Sequence, residues 1–528
     1  MRFTQTIAGI VLFAALGIFI ALPFLNNYTV TEESATELAN YMYHPEHFKV
    51  LKPELQKIDG ETYSKTELLS KFQEIINTVN PQLEGRGDEG IWPIAGSAKK
   101  DYSFWLLNLS GSGTATQHKH QIFLLLMALV GIGSILMILP MFFNGTPGIK
   151  HNGIYFNSLN SRGIIGIILG TILVIFYIVL YFYPQYIPEM VQVFDPIANL
   201  FGTEHASYWF MYGSLYTIAV TVMGVRMYAK YRHSNYQLIR TTSVMFFQLC
   251  FAFILPEIMA AVGNPYINLH VAWPLDYDMF FKDSINSYYQ QGNAFLGLTV
   301  GTYMLFASIL LTIVAIPLFT YMYGKRWYCS WVCGCGGLAE TFGDPFRQQS
   351  DKSLKAWNIE RYLIHGVLVF ITIATIFWLV EFFTGALGGL SYQFKSIYGF
   401  AIGSIFAGVV GTGFYPLMGN RVWCRFGCPL AAIMGIVQRF QSRFRITTNG
   451  AQCISCGNCS TYCEQGIDVR WYAQRSQDIV RASCVGCGVC SAVCPRGVLS
   501  LENGPADSRV MDKPIEITGS GVQFHELN

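Results

Sequence analysis

Apolar and polar stretches alternate along this chain on the scale of a lipid bilayer. The first apolar run covers residues about 7–24, directly behind Met1-Arg2. Seven more follow, at about 121–143, 163–184, 207–227, 240–262, 295–322, 360–382 and 397–418. Each offers about 20 mostly apolar residues, the length a helix needs to cross the hydrocarbon core. The pattern predicts eight transmembrane helices, and an even count places both termini on one side. The bulky Leu22-Pro23-Phe24-Leu25 supplies no small-x-small cleavage site. Residues 1–25 are therefore expected to be a retained anchor and not a cleaved signal.

Two segments break the pattern. Residues 26–120 carry mixed charge and helix-like pieces such as Lys65–Thr78, and read as a small extramembrane domain. Within it, Ser112-Gly113-Thr114-Ala115-Thr116 has the wrong residue order for a covalent flavin site and reads as a flexible linker. The second segment starts near residue 451 and is rich in cysteine. The expected fold is a mainly α membrane protein with about eight transmembrane helices over 1–25 and 121–450. A small α+β ferredoxin-like domain follows at 451–502, then a tail at 503–528.

Lys and Arg in the connections orient the helices. One side collects Lys150 and Arg162, then Arg226, Lys230, Arg232 and Arg240. It also collects Lys325, Arg326, Arg347, Lys352, Lys355 and Arg361, and after the last span Arg421, Arg425, Arg439, Arg443 and Arg445. The opposite loops hold no Lys or Arg between 185 and 206, only Lys282 between 263 and 294, and only Lys395 between 383 and 396. The expected placement is the bacterial inner membrane, with both termini and the cysteine-rich domain in the cytoplasm and residues 26–120 in the periplasm. The basic stretch Arg439–Arg445 is expected to rest on anionic lipid headgroups.

Composition agrees. Hydrophobic residues make up 52% and charged residues 13%, about half the charge of a soluble chain. The net charge of +2 identifies no partner, and no nucleic-acid partner is expected. Thirteen of the 14 cysteines follow residue 328, which fits metal ligands in a reducing compartment better than a disulfide framework. The exception, Cys250, sits in an apolar run and reads as a small core residue.

The last eight cysteines form two runs of one kind. They are Cys453-x-x-Cys456-x-x-Cys459-x-x-x-Cys463 and Cys484-x-x-Cys487-x-x-Cys490-x-x-x-Cys494-Pro495. Doubled in this way, the spacing is the ligand set of two [4Fe-4S] clusters, with the fourth cysteine of each run ligating the other cluster. One cluster is assigned to Cys453, Cys456, Cys459 and Cys494, the other to Cys484, Cys487, Cys490 and Cys463. Structural zinc draws instead on paired C-x-x-C units. Glycines after Cys456 and Cys487 allow the backbone to wrap closely. Glu464 follows Cys463 where many ferredoxins place proline; it removes no ligand.

Five more cysteines form a short internal repeat at membrane exits. Arg326-Trp327-Tyr328-Cys329-Ser330-Trp331-Val332-Cys333-Gly334 follows the sixth span, with Cys335 next. Arg421-Val422-Trp423-Cys424-Arg425-Phe426-Gly427-Cys428-Pro429 follows the eighth. A helical turn would place the two sulfurs of each C-x-x-x-C on one face. Three readings stay open for Cys329, Cys333, Cys335, Cys424 and Cys428. They hold a further metal centre such as a third cluster, act as redox-active dithiols, or are unligated interfacial thiols.

The two exit segments followed by the doubled motif resemble the NapH/NosR/CcoG-type membrane polyferredoxins of bacteria, over roughly residues 295–502. The usual C-x-x-x-C-P is kept at Cys428-Pro429 and becomes Cys333-Gly334-Cys335 in the first copy. The resemblance implies electron transfer at the cytoplasmic membrane, with membrane lipid, redox proteins and a quinone pool or periplasmic partner as its surroundings. It leaves two other roles open. One is a maturation factor that reduces a metal or a thiol for a respiratory enzyme. The other is an electron-transfer subunit of a larger complex.

The remaining candidates are weaker. No C-x-x-C-H occurs, so no c-type haem is expected. His365 alone lies plausibly within a span, as a haem or quinone candidate against an ordinary interfacial histidine. His118, His120, His205 and His270 fall in or near outer loops, as metal or quinol ligands against solvated histidines. Glu257 and Glu381 lie inside or near the outer ends of spans, where a carboxylate is a site hypothesis. Glu257 follows Pro256, which frees a backbone carbonyl.

Overall fold

The computed structural model describes residues 2–84, 92–144, 163–266, 272–504, 517–518 and 521–522. Lys150, Arg162, His270 and all but a few residues of the tail lie outside them.

Among the described residues, seven helices are long and apolar enough to cross a membrane. They are Phe3–Phe24, Lys119–Phe143, Ile164–Phe182, Asn235–Ala261, Val300–Tyr323, Leu354–Thr384 and Gly388–Gly413. The chain is a multi-pass membrane protein. The expected span at 207–227 is a helix, Tyr208–Tyr231, of 24 residues and about 36 Å. Five tyrosines, Arg226 and Lys230 keep it below the apolarity of the other seven. The parity that sets both termini on one side rests on this helix.

Three spans contain wider π-type turns, at Phe247–Ile254, Leu311–Ala315 and Gly399–Val410. The first two precede Pro256 and Pro317. Neither proline has an N–H to return to the carbonyl four residues back, so the winding loosens there.

The chain divides into two compact units. The first comprises residues 1–144 and 174–218. In it, helix Lys119–Asn144 runs along helix Arg2–Ala21. A Cβ on Gly133 would stand 2.8 Å from the Leu12 side chain, so glycine allows the approach. Beside these two long helices the unit is built from helices Pro45–Leu55, Lys65–Val79 and Gly96–Ser110. Ser64 and Glu67 form a capping box that starts the second. Leu51, Leu55, Leu68, Phe72, Tyr102 and Leu106 bury its core.

Residues 184–206 belong to this domain, beyond its expected end at residue 120. Glu189 is buried and takes Lys65 at 2.9 Å and the Tyr28 hydroxyl. Asp195 takes Lys119 at 2.6 Å. The stretch 112–116 is a packed turn and not a flexible linker. Thr116 bonds Asn26 and Gln192, both at 2.7 Å, and a Cβ on Gly113 would meet the Asn26 backbone at 2.6 Å.

The second unit comprises residues 145–173 and 219–528. It contains four of the spans, both exit segments and the cysteine-rich domain. That domain is held by strands Phe444–Thr448 and Leu499–Asn503, paired antiparallel from Phe444 opposite Asn503 to Thr448 opposite Leu499. Two short helices, Asn458–Thr461 and Val489–Ala492, lie between the strands in sequence. Each starts after a left-handed glycine, Gly457 (φ 79°) and Gly488 (φ 72°). The two cysteine runs therefore have one local conformation as well as one spacing.

Candidate metal centres

The eight cysteines of the doubled motif line two separate cavities. Cys453, Cys456, Cys459 and Cys494 share one with about 360 Å³ of empty space. Cys463, Cys484, Cys487 and Cys490 share the other, of about 380 Å³. The last cysteine of each run sits in the other run's cavity. Burial pushes the Cys459 and Cys484 thiols up to about 11 and raises the Cys490 thiol as well. Free thiols here would stay protonated at neutral pH. Metal binding would have to displace those protons, and a cationic core is what makes the thiolates stable.

Sulfur spacing separates two kinds of centre. Zinc at about 2.3 Å from four thiolates brings the sulfurs within about 3.8 Å of one another. Among the described residues, no three cysteine sulfurs lie within 4.8 Å of one another. Each group of four surrounds empty space with room for a polynuclear centre.

The five exit cysteines converge. Cys329, Cys424 and Cys428 are buried, and Cys333 and Cys335 half-buried. Burial pushes the Cys329 thiol up to about 12, with Cys333 and Cys424 adding to it. Cys428 is raised by burial, then by Cys424, Cys329 and Cys333. Cys335 hydrogen-bonds Cys333. The cause of convergence differs from the expected helical turn. The chain bends between the two cysteines of each pair, and the second one caps a new helix. Cys333 precedes Gly334–Glu340, and Cys428 precedes Pro429–Phe440. The Ala431 N–H donates to the Cys428 sulfur at 3.4 Å. Pro429 at the first helical position was the visible signal for such a cap. A Cβ on Gly336 would lie 2.0 Å from the Cys329 carbonyl, so this fold-back needs glycine.

Arg421 ties the two segments together. It donates to the Cys329 carbonyl at 3.1 Å and to the Cys424 sulfur at 3.6 Å. Its other nitrogens face Glu340 at 2.6 Å and Glu464 at 3.1 Å. Glu464, in the proline position, is thus buried in an ion-pair network that single-sequence reading missed. Arg347 reaches Glu464 at 2.6 Å, Asp344 at 2.8 Å and also Glu340. Arg240 pairs with Glu340 at 2.5 Å. Arg226 and Lys230 pair with Asp344 at 2.8 and 2.7 Å. Five cations face three carboxylates, an excess of two positive charges. Burial pushes the Asp344 carboxyl up, but Lys230, Arg226 and Arg347 overcome it and hold the group well below its ordinary range. At Glu464 burial prevails over Arg347 and Arg421, and the group is raised. Carboxylate oxygens of Glu340 and Glu464 lie within 4.8 Å of the Cys487 sulfur.

The network also reinterprets the charge asymmetry. Arg226, Lys230, Arg240, Arg347 and Arg421 belong to the basic side of the charge asymmetry, yet each is an ion-pair partner in this network. Their clustering has a local cause besides membrane orientation.

The other candidates are dispersed. The Nδ1–H of His365 donates to the Arg361 carbonyl at 2.6 Å. His205 faces Glu37 at 3.2 Å, and Glu204 joins them with ligand atoms within 4.8 Å. His118 bonds the Thr114 carbonyl, and His120 is exposed. Glu257 accepts from Tyr266 at 3.2 Å. Glu381 accepts from the Leu387 N–H at 2.5 Å, which closes the turn after its helix. Cys250 is half-buried in the first π-type turn.

Comparison with known proteins bears on both groups of cysteines. A family model described as a 4Fe-4S binding domain matches residues 305–353 and 398–447, the two exit segments. A second, described as a 4Fe-4S dicluster domain, matches residues 445–495. The chain is also 27% identical over 172 residues to the Escherichia coli (strain K12) protein named "Putative electron transport protein YccM". That match covers 31% of this chain and 48% of the relative, so the chain spans about half of the relative's length. No solved structure matches. The resemblance to membrane polyferredoxins holds over these segments, which match iron–sulfur binding domains.

Proposed function

We propose that the protein carries single electrons between a two-cluster ferredoxin domain and a quinone pool or a periplasmic redox partner, through a third centre at the membrane exit. The observation that carries this reading is the pair of cavities, each lined by three cysteines of one run and the fourth of the other. The assigned ligands are Cys453, Cys456, Cys459 and Cys494 for one cluster, and Cys463, Cys484, Cys487 and Cys490 for the other. The third centre is held by Cys329, Cys333, Cys424 and Cys428, with Cys335 beside it.

An iron–sulfur centre supplies one-electron transfer at a potential set by charge, hydrogen bonds and exposure. The chain supplies those settings. Cys487 and Cys333 both pack against the buried cluster that holds Val485, Cys329 and Cys428, so the second cysteine group adjoins the exit group. Arg421 orients both exit segments and compensates negative charge at Cys424. The net positive network around Glu464 lowers the cost of adding an electron in a buried place. The termini and the ferredoxin domain lie in the cytoplasm of a bacterial cell in this reading.

A second reading is favoured by one feature. Cys335 is a fifth thiol at a centre that needs four and is hydrogen-bonded to Cys333. It fits a maturation role in which a metal or disulfide is reduced there. Purified protein separates the two. Quinol oxidation coupled to cluster reduction supports the carrier. Reduction of Cu(II) or of a disulfide, lost in Cys335→Ser and with no quinol activity, supports maturation.

A further inference from the structure

Beside the exit cysteines lies a large, open-sided chamber, with about 1370 Å³ of empty space. Its walls are the start of helix Leu354–Thr384, helix Pro429–Phe440 and residues 480–483 of the ferredoxin domain. Cys424 is on the wall. The back is tight, since a Cβ on Gly435 would meet the Ala482 carbonyl at 2.9 Å. Five cations line it, Lys325, Arg361, Arg425, Arg439 and Arg481, against one carboxylate, Glu360.

Among the described residues, two buried polar atoms on this wall have no partner. Arg425, 3% exposed, spends Nε on Glu360 and Nη1 on the Asp351 carbonyl, both at 2.7 Å. Its Nη2 is left without an acceptor, as is the Ser483 hydroxyl. Buried donors without acceptors cost about 1–3 kcal/mol each. The chamber continues at Tyr362 into an open apolar groove along the same helix, lined by Ile359, Leu363, Val367 and Phe370.

We infer that this chamber and groove bind an anionic phospholipid. The phosphate would accept from Arg425 and Ser483 among the surrounding cations, and an acyl chain would lie along the groove. The excess of cations favours a headgroup of net negative charge over a zwitterionic one, whose phosphate is offset by its own cation. Arg481 and Ser483 belong to the ferredoxin domain and Arg361 to a membrane helix, so one lipid would clamp the domain against the membrane beside Cys424. The inference rests on the membrane reading of these helices but not on any cluster or on the direction of electron flow.

The test uses full-length protein in dodecyl maltoside, stripped of lipid. Brominated phosphatidylglycerol and brominated phosphatidylcholine are titrated while tryptophan fluorescence is followed. Trp357 lines the chamber, and Trp357→Phe identifies its share of the quenching. Phosphatidylglycerol is expected to quench Trp357 at concentrations at least tenfold below phosphatidylcholine. Arg361→Gln/Arg439→Gln, at two exposed positions, is expected to weaken that binding about thirtyfold, with iron content unchanged. Equal binding of the two lipids, or unchanged affinity in the double variant, overturns the inference. Displacement of phosphatidylglycerol by millimolar inorganic phosphate alone would assign the site to a free anion and overturn it. Displacement by micromolar decylubiquinone would assign it to a quinone, with the same consequence.

Discussion

Replacing Glu464 by Gln probes the link between the buried network and the centres. The substitution keeps shape and removes one negative charge that is 1% exposed. A carboxylate oxygen of Glu464 lies within 4.8 Å of the Cys487 sulfur. At an effective dielectric of about 20 and a separation of about 5–7 Å, one charge is worth about 2–3 kcal/mol to an added electron. That corresponds to a shift on the order of 100 mV. Losing a negative neighbour favours reduction, so the potential rises. Arg347 keeps Glu340 and Asp344 as partners, and Arg421 keeps Glu340, so the fold is expected to survive. The assay is an EPR-monitored redox titration of full-length wild type and E464Q at pH 8. One centre should move upward by about 100 mV, while the centre assigned to Cys453, Cys456, Cys459 and Cys494 moves less. A downward shift, or no shift at any centre, would refute the reasoning.

Further outcomes follow from the same structure. Cys424→Ser or Cys428→Ser should lower iron by the four atoms of one cluster and remove an EPR signal distinct from the other two; an unchanged iron count would sink the third centre. Gly488→Ala should release iron at lower temperature than Gly457→Ala. Both positions have positive φ, costing about 1 kcal/mol, but only at Gly488 does the new Cβ meet a side chain at 2.7 Å, that of Tyr236. Asp344→Asn strands Arg226 and Lys230, and should destabilise the protein by about 3–5 kcal/mol, read by thermal unfolding. Because the folded Asp344 carboxyl is held below its ordinary value of 3.8, its contribution is present above that pH and lost as pH falls further. Asp344's own share of the gap between wild type and D344N should therefore still be present at pH 5 and be lost only at lower pH. A fluorescent protein fused after Asn528 should glow in the bacterial cytoplasm, whereas an alkaline phosphatase fusion there should be inactive.

Much of the chemistry was legible because it is carried by local sequence. Cysteine spacing, Gly457 and Gly488 are all contained within single runs, and the structure gives both glycines the left-handed conformation that such a wrap requires. Span positions were legible for the same reason, since twenty apolar residues need no partner to be recognised. What escaped depends on residues distant in sequence. Glu464 was visible only as a missing proline, because Arg347 and Arg421 come to it from 117 and 43 positions away. The segment 184–206 completes the extramembrane core through Lys65–Glu189 and Lys119–Asp195 pairs that no periodicity encodes. A helix, Tyr208–Tyr231, coincides with the apolar run at 207–227, but its charges are satisfied by Asp344 in a later segment. The C-x-x-x-C pairs converge by a bend and a helix cap, for which Pro429 was the only local sign.

The most direct test of the central claim is metal and sulfide analysis of the anaerobically purified full-length protein. Iron and acid-labile sulfide are expected in equal amounts, in multiples of four per chain, with negligible zinc. Zinc without sulfide, or iron without sulfide, would contradict it.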